Sequence, residues 1–122
     1  MKTYYYKLVQ KILNEYCRLL DIDEDELLTS RYKPRPAMRL VFAKIIIDEP
    51  NIAIITQDLA KILRMRAHGT LLRGISNLNF TYDDIKLYKH IAIKALHHIW
   101  YEDKQFDWDS NEKIVWHLKA SK

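Results

Sequence analysis

The scarcity of chain-breaking residues is the feature that most restricts how this chain can fold. Its 122 residues include only two glycines and three prolines. The stretches between them are rich in Leu, Ile, Lys, Arg and Glu, which favour helices and leave few places for tight turns. We therefore predict an all-α fold. The apolar content of 48% is enough for one compact core but leaves no room for a second one.

Apolar residues recur at helical spacing in several segments, which predicts about five to six helices. We place them at residues 4–20, 24–28, 36–48, 56–63, 66–78 and 82–101, and we expect a further short helix at 111–120. Asp23, Thr56 and Thr81 are the predicted N-caps of the second, fourth and sixth helices. Residues 52–55 are interpreted as an apolar connection that packs under the fourth helix.

Positive charge is concentrated in the middle of the chain. Between Arg31 and Arg73 there are nine Lys/Arg and three Asp/Glu, whereas the remainder has 11 Lys/Arg and 13 Asp/Glu. Residues 29–36, TSRYKPRP, contain two prolines and three cations and are predicted to form a basic loop. A basic centre between neutral or acidic ends indicates a surface that meets a polyanion.

Residues 59–78, LAKILRMRAHGTLLRGISNL, carry the most specific pattern in the chain, two short helices separated by a basic turn. When residues 66–78 are placed on a helix, their apolar and polar side chains separate onto opposite sides. The apolar side holds Leu71, Leu72, Ile75 and Leu78, and the polar side holds Arg66, Thr70, Arg73 and Asn77. Arg, Asn and Thr are residue types that read bases or bind phosphates in the major groove. The pair therefore favours a helix-turn-helix.

The order of these elements resembles that of a known family. Residues 11–78 contain ILNEYCRLL, DIDEDELL, SRYKPR, AMRLVFAKI, LAKILRM and RAHGTLLRG, in this order. This series is similar to the C-terminal DNA-binding domain of the bacterial replication initiator DnaA, a helical relative of the Trp repressor domain. The resemblance covers somewhat over half of the chain and implies a helix-turn-helix that binds duplex DNA.

The resemblance also implies roles for individual positions. Arg66, His68 and Thr70 match family positions that contact the major groove or adjacent phosphates. Arg35, where the basic loop enters the long helix, resembles the family arginine that reaches into the minor groove. For His68 two interpretations stay open, because on an ideal helical wheel it lies near the core side: it either contacts the DNA or packs against the protein.

Three positions depart from the family pattern. Ala67 stands in place of an aspartate that helps to read bases, Gly69 in place of a hydroxyl residue, and Arg73 in place of a histidine. These changes keep or increase phosphate affinity while they remove base readers. We therefore expect non-specific or altered-site DNA binding rather than recognition of the family's usual origin box.

The predicted function is binding of double-stranded DNA in DNA replication or transcription regulation. The predicted contacts are Arg31, Lys33, Arg35, Arg39, Lys61, Arg64, Arg66, His68, Thr70, Arg73 and Asn77. The alternative is an adaptor that keeps the fold but binds a replication or transcription protein. The sequence lacks a glycine-rich phosphate loop followed by a Lys-Ser/Thr pair. It also offers no set of zinc ligands, so we expect no enzyme, no cofactor and no metal.

The domain boundary is predicted near residue 101. Residues 1–101 form the DNA-binding module, and residues 102–122 form an aromatic and acidic extension. Phe106, Trp108 and Trp116 of this extension pack back on the module or dock a second copy or another protein. The single Cys17 indicates a buried thiol in a reducing compartment. No apolar run approaches the roughly 20 residues needed to span a bilayer, so we expect no membrane partner and a cytoplasmic location.

Overall fold

A computed structural model of the chain describes the backbone of residues 2–103 and the side chains of residues 4–100. Within this range there are six helices: α1 (Lys2–Leu20), α2 (Glu24–Thr29), α3 (Arg35–Ile47), α4 (Thr56–Ile62), α5 (His68–Ser76) and α6 (Asp83–Asp103). Residues 2–103 contain no strand, so the all-α prediction is confirmed. The predicted extension, with Phe106, Trp108, Trp116 and the helix at 111–120, lies outside the described residues from residue 104 onward.

The two long helices, α1 and α6, pack along each other, and α3 also packs against α6. The predicted apolar stripe of α1 is buried at Leu8, Val9, Ile12, Leu13 and Tyr16. From α6 the small side chains of Ala92 and Ala95 are fully buried. They belong to one core with buried residues of α1 and α3.

Tyr16 links α1 to α3 at the centre of this core. Its ring lies 5.3 Å from that of Phe42, measured between centroids. Its hydroxyl donates a hydrogen bond of 2.9 Å to the carbonyl of Met38. Burial raises the pKa of the Tyr16 phenol, so the group stays a donor. The neighbouring Cys17 is also buried, as predicted, and burial raises the pKa of its thiol to about 12.

The ends of the first helices follow ordinary capping rules. Asp21 ends α1 in the left-handed region with φ 55°, while the N–H groups of Asp21 and Ile22 donate to carbonyls of Arg18 and Cys17. Asp23 then caps α2, because its side chain accepts from the N–H of Glu26 at 3.3 Å. The predicted Asp23 cap is confirmed.

The two predicted threonine caps are wrong. The N-cap of α4 is Ile55, without a side-chain hydrogen bond, and Thr56 is already the first helical residue. Before α6, the N–H of Thr81 donates to the side-chain carbonyl of Asn79, and the Thr81 hydroxyl bonds to the same oxygen. This local turn takes up the hydroxyl that would have capped the helix, and α6 begins two residues later at Asp83.

The connection from α3 to α4 runs without regular structure over residues 52–55. Ile52 is buried, as expected for a connection that packs under a helix, but Ile55 is 49% exposed. The prediction therefore holds for the first part of the segment only. No helix in the described part of the chain is both long and apolar enough to cross a bilayer.

Candidate nucleic-acid interface

Helices α4 and α5 form the pair that the central pattern predicts, joined by a turn at residues 63–67. Arg64 adopts a left-handed conformation with φ 58°. Its N–H donates to the carbonyl of Lys61 at 3.0 Å, and the N–H of Met65 donates to that of Ala60 at 2.8 Å. These two bonds form a Schellman motif, which satisfies carbonyls at the end of α4 and reverses the chain direction. The motif positions the start of α5.

Helix α5 rests on α3 and α4 through one narrow side. Leu71 is fully buried, and Leu40 from α3 lies so close to Gly74 that an added Cβ would be 2.8 Å from a Leu40 methyl carbon. Because contact is made at Gly74, the buried side is turned toward this glycine and away from Leu72. Leu72 is 42% exposed, so its predicted place on the apolar side is wrong.

The polar side of the predicted helix lies in solvent. The side chains concerned are all exposed: Arg66, His68, Thr70, Arg73 and Asn77. The observed helix is shorter than the predicted residues 66–78, because it begins at His68 and ends at Ser76. Arg66 therefore extends from the turn rather than from the helix. For His68, exposure removes the packing alternative and leaves its side chain available to a partner.

The first turn of α5 has no side-chain cap. Ala67 is the N-cap residue, with φ −137° and ψ 137°, and its methyl group accepts no hydrogen bond. A Cβ added to Gly69 would meet nothing within 4 Å. The first N–H groups of a helix have no acceptor within the helix itself and favour a negatively charged partner. Sequence reasoning missed the N-cap position of Ala67, because the helix was expected to begin earlier.

The basic loop between α2 and α3 carries two exposed cations, Arg31 and Lys33. Neither forms a hydrogen bond or an ion pair with a residue that the structure describes. The Lys33–Pro34 peptide bond in this loop is cis. As predicted for the first turn of the following helix, Pro36 occupies one of its first positions.

Arg39 serves the fold rather than the surface. One of its terminal nitrogens donates to the carbonyls of Leu27 at 2.6 Å and Ser30 at 2.8 Å. These carbonyls lie at the C-terminal end of α2, where a cation is favoured. Partial burial lowers the pKa of the Arg39 guanidinium. Because this group is engaged within the fold, we leave Arg39 out of the proposed interface.

Two further predicted contacts are paired with acidic residues of α2. Arg35 approaches Glu26 at 3.0 Å, and Arg64 approaches Asp25 at 2.8 Å. The two arginines come from the basic loop and from the turn after α4, so both segments meet at α2. Both pairs are partly exposed and contribute little to stability. They do reduce the positive potential of these two arginines.

Among the predicted cationic contacts, those that form no ion pair with a described residue are Arg31, Lys33, Lys61, Arg66 and Arg73. They come from the basic loop, from the end of α4, from the turn and from α5. No group of three or more His, Cys, Asp or Glu able to hold a metal ion occurs among the described residues. The five cations give this surface positive charge and hydrogen-bond donors.

The histidines of α6 do not form a ligand set among the described residues. Nδ1 of His98 lies 2.7 Å from a carboxylate oxygen of Glu15, which also binds Arg18 at 2.7 Å. This cluster joins α6 to α1. The Arg18 guanidinium, helped by His98 and opposed by burial, lowers the pKa of Glu15 to about 2. His97 is half-buried, and burial lowers its pKa.

In comparisons with known proteins, no family model, no curated protein and no solved structure matches the chain. Fold and surface together define a class, a small all-α module with an exposed, cationic pair of short helices.

Proposed function

We propose that this protein binds double-stranded DNA through α4, the turn at residues 63–67 and α5, used as a helix-turn-helix. The observation that carries the proposal is the exposed side of α5 and its turn. There, Arg66, His68, Thr70, Arg73 and Asn77 all reach solvent. These types supply donors for guanine, donor and acceptor groups for adenine, and hydroxyls for either base or phosphate. A helix has a width that fits the major groove.

The way in which α5 packs on the core supports the proposed role in DNA binding. Its contact with the core runs through Leu71 and the Leu40–Gly74 approach, while Thr70, Arg73 and Asn77 stay exposed. A helix that rests on one narrow side leaves most of its circumference free for a groove. The preceding α4 carries Lys61 in its last turn, an exposed cation at the place where the first helix of such a motif crosses the DNA backbone.

Affinity would come mainly from phosphate neutralisation. The five cations Arg31, Lys33, Lys61, Arg66 and Arg73 have no competing ion pair in the described part of the chain. The uncapped first turn of α5 adds backbone N–H donors that suit a phosphate oxygen. Contacts of this kind fix orientation and carry no sequence information by themselves.

Base selectivity is the weaker part of the proposal. Ala67 and Gly69, at the start of α5, have no side chain that can read a base. Arg66, Arg73 and Asn77 remain as candidate readers. We therefore infer non-specific or altered-site binding. Following the resemblance to the DnaA DNA-binding domain, we place the protein without catalytic activity in DNA replication or transcription control, in the cytoplasm where bacterial or phage DNA lies.

The direct test is titration of the full chain with random-sequence duplex DNA at several salt concentrations, followed by fluorescence anisotropy. We expect an affinity that falls steeply as salt rises, because each neutralised phosphate releases counterions. Arg66→Ala and Arg73→Ala should each weaken binding and lower the log–log slope by about one if the arginine binds a phosphate. Selection from a random duplex pool then shows whether any sequence is preferred.

Lys94→Ala provides a matched control. Lys94 is an exposed cation on α6, a helix that packs chiefly on α1 and α3. Removing it changes the net charge by the same amount and should leave the slope nearly unchanged. Absence of duplex binding at low salt would refute the proposal and would leave the adaptor interpretation as the one to pursue. Equal losses in Lys94→Ala and Arg66→Ala would show that binding depends on net charge alone.

A further inference from the structure

Tyr32 is an aromatic residue whose side chain lies outside the hydrophobic core. It lies in the basic loop and is 84% exposed. Among the described residues, no other large hydrophobic side chain is as exposed. Tyr16, by contrast, is fully buried and bonded to the α3 backbone. An exposed single apolar residue is common on protein surfaces, so the setting of Tyr32 has to carry the argument.

Two hydrogen bonds hold the backbone at Tyr32 in place. Its N–H donates to the hydroxyl of Ser30 at 3.2 Å, and its carbonyl accepts from the N–H of Arg35 at 3.0 Å. The carbonyl of Ser30 is in turn held by Arg39. The ring is therefore presented from a loop whose base is anchored to α2 and α3. A group that is already positioned loses less conformational entropy on binding.

The neighbours of Tyr32 select the kind of partner. Arg31 and Lys33 flank it in sequence, both exposed and both without an ion-pair partner among the described residues. Two exposed cations next to a tyrosine in the chain suit a polyanion with closely spaced charges. Tyrosine hydroxyls are regular donors to DNA phosphate oxygens, and the ring offers an apolar surface to a sugar.

We infer that Tyr32 contacts the sugar-phosphate backbone of duplex DNA, with its hydroxyl donating to a phosphate oxygen between the phosphates that Arg31 and Lys33 neutralise. The inference rests on the proposed DNA binding and adds an uncharged contact to it. Through Tyr32, the basic loop fixes the register of the protein on the duplex without reading bases.

The test compares Tyr32→Phe and Tyr32→Ala with the unchanged full chain in duplex titrations at several salt concentrations. Loss of a hydrogen bond to a charged group predicts a decrease in affinity of about ten- to hundredfold for Tyr32→Phe, and at least as much for Tyr32→Ala. Because tyrosine carries no charge, the log–log salt slope should not change. Lys33→Ala in the same loop should lower the slope by about one.

Tyr82 is the matched control. It is 61% exposed and lies just before α6, between Thr81 and Asp83 rather than between cations. Tyr82→Phe should leave the affinity unchanged. Helical circular dichroism and the thermal midpoint of the Tyr32 variants should equal those of the unchanged chain, which separates a contact from a folding defect.

Three results would contradict different parts of this reasoning. If the unchanged chain does not bind duplex at low salt, the proposed function itself fails, and with it this inference. If the unchanged chain binds and Tyr32→Phe binds equally well, DNA binding stands and the hydroxyl contact is refuted. A loss in Tyr82→Phe as large as that in Tyr32→Phe would refute it as well.

Discussion

Gly69 and Gly74 form a matched pair for testing how α5 is seated on the core. Both lie within α5, so replacing either by alanine should gain up to about 1 kcal/mol of helix propensity. They differ in their surroundings. A Cβ at Gly69 meets nothing within 4 Å, whereas a Cβ at Gly74 would lie 2.8 Å and 3.0 Å from the two methyl carbons of Leu40.

The Leu40 distances set the size of the effect. Carbon atoms in contact normally lie about 3.5–4.0 Å apart, so Gly74→Ala forces the Leu40 side chain to move. Overpacking of this kind costs about 1–3 kcal/mol, and the lower part of the range applies because the obstructing atoms end a flexible side chain. We expect Gly69→Ala to stabilise the fold by up to about 1 kcal/mol. Gly74→Ala should be about 1–2 kcal/mol less stable than Gly69→Ala.

Urea unfolding of the full chain, followed by helical circular dichroism, measures both changes if the transition midpoint moves and the m-value stays constant. Leu40→Ala removes the obstructing methyl groups. In that background Gly74→Ala should lose its steric cost, giving a coupling free energy of about 1–2 kcal/mol between the two positions. The reasoning is refuted if Gly74→Ala is as stable as Gly69→Ala, or if its cost persists when Leu40 is alanine.

Three further predictions follow from the site and its surroundings. The Arg18 guanidinium is the main reason why the pKa of Glu15 falls to about 2. The stability due to this carboxylate should therefore be fully present above pH about 4.5 and be lost as the pH falls toward 2. At neutral pH the free energy of unfolding of the wild type should exceed that of Glu15→Gln by about 1 kcal/mol, a small value because solvent screens the exposed Arg18. This difference should disappear as the pH falls, and a difference that stays constant would contradict the assignment. Asp25→Asn removes the partner of Arg64, so duplex affinity in anisotropy should rise several-fold at low salt, and an unchanged or lower affinity argues against Arg64 as a contact. Ala67→Ser supplies the missing cap of α5 and should raise unfolding stability by about 0.5–1 kcal/mol while lowering duplex affinity, because the hydroxyl occupies an N–H; no gain in stability would contradict the N-cap assignment.

The helices could be predicted because each buries an apolar stripe that is visible in sequence. In α1 and α6 the periodic residues are the buried ones, from Ile12 and Tyr16 to Ala92. The helix starts were harder to predict. At Thr81 a short-range bond to Asn79 competes with capping, and such a local choice between two hydrogen-bond partners leaves no periodic signal.

In the candidate interface, too, features set by neighbouring residues could be predicted from sequence, whereas contacts with distant residues could not. The exposure of Thr70 and Arg73 follows from helical periodicity alone. By contrast, Arg39 bonds to backbone carbonyls of another helix, and Arg64 pairs with Asp25, 39 positions earlier in the chain. A sequence pattern shows that a cation is present but not which distant group binds it. The free positive charge of the surface was therefore overestimated from sequence.

This overestimate bears directly on how salt dependence should be interpreted. If each of the five unpaired cations of the proposed interface neutralises one phosphate, the log–log slope should be about −4 to −5, at roughly −0.9 for each contact. If Arg35 and Arg64 also leave Glu26 and Asp25 to bind phosphate, the slope should approach about −6. A partner exchange of this kind costs little, since exposed ion pairs contribute only about 0–1 kcal/mol. The acidic α2 would then remain beside the DNA and repel it, so a steep slope combined with modest affinity would indicate that both arginines exchange their partners on binding.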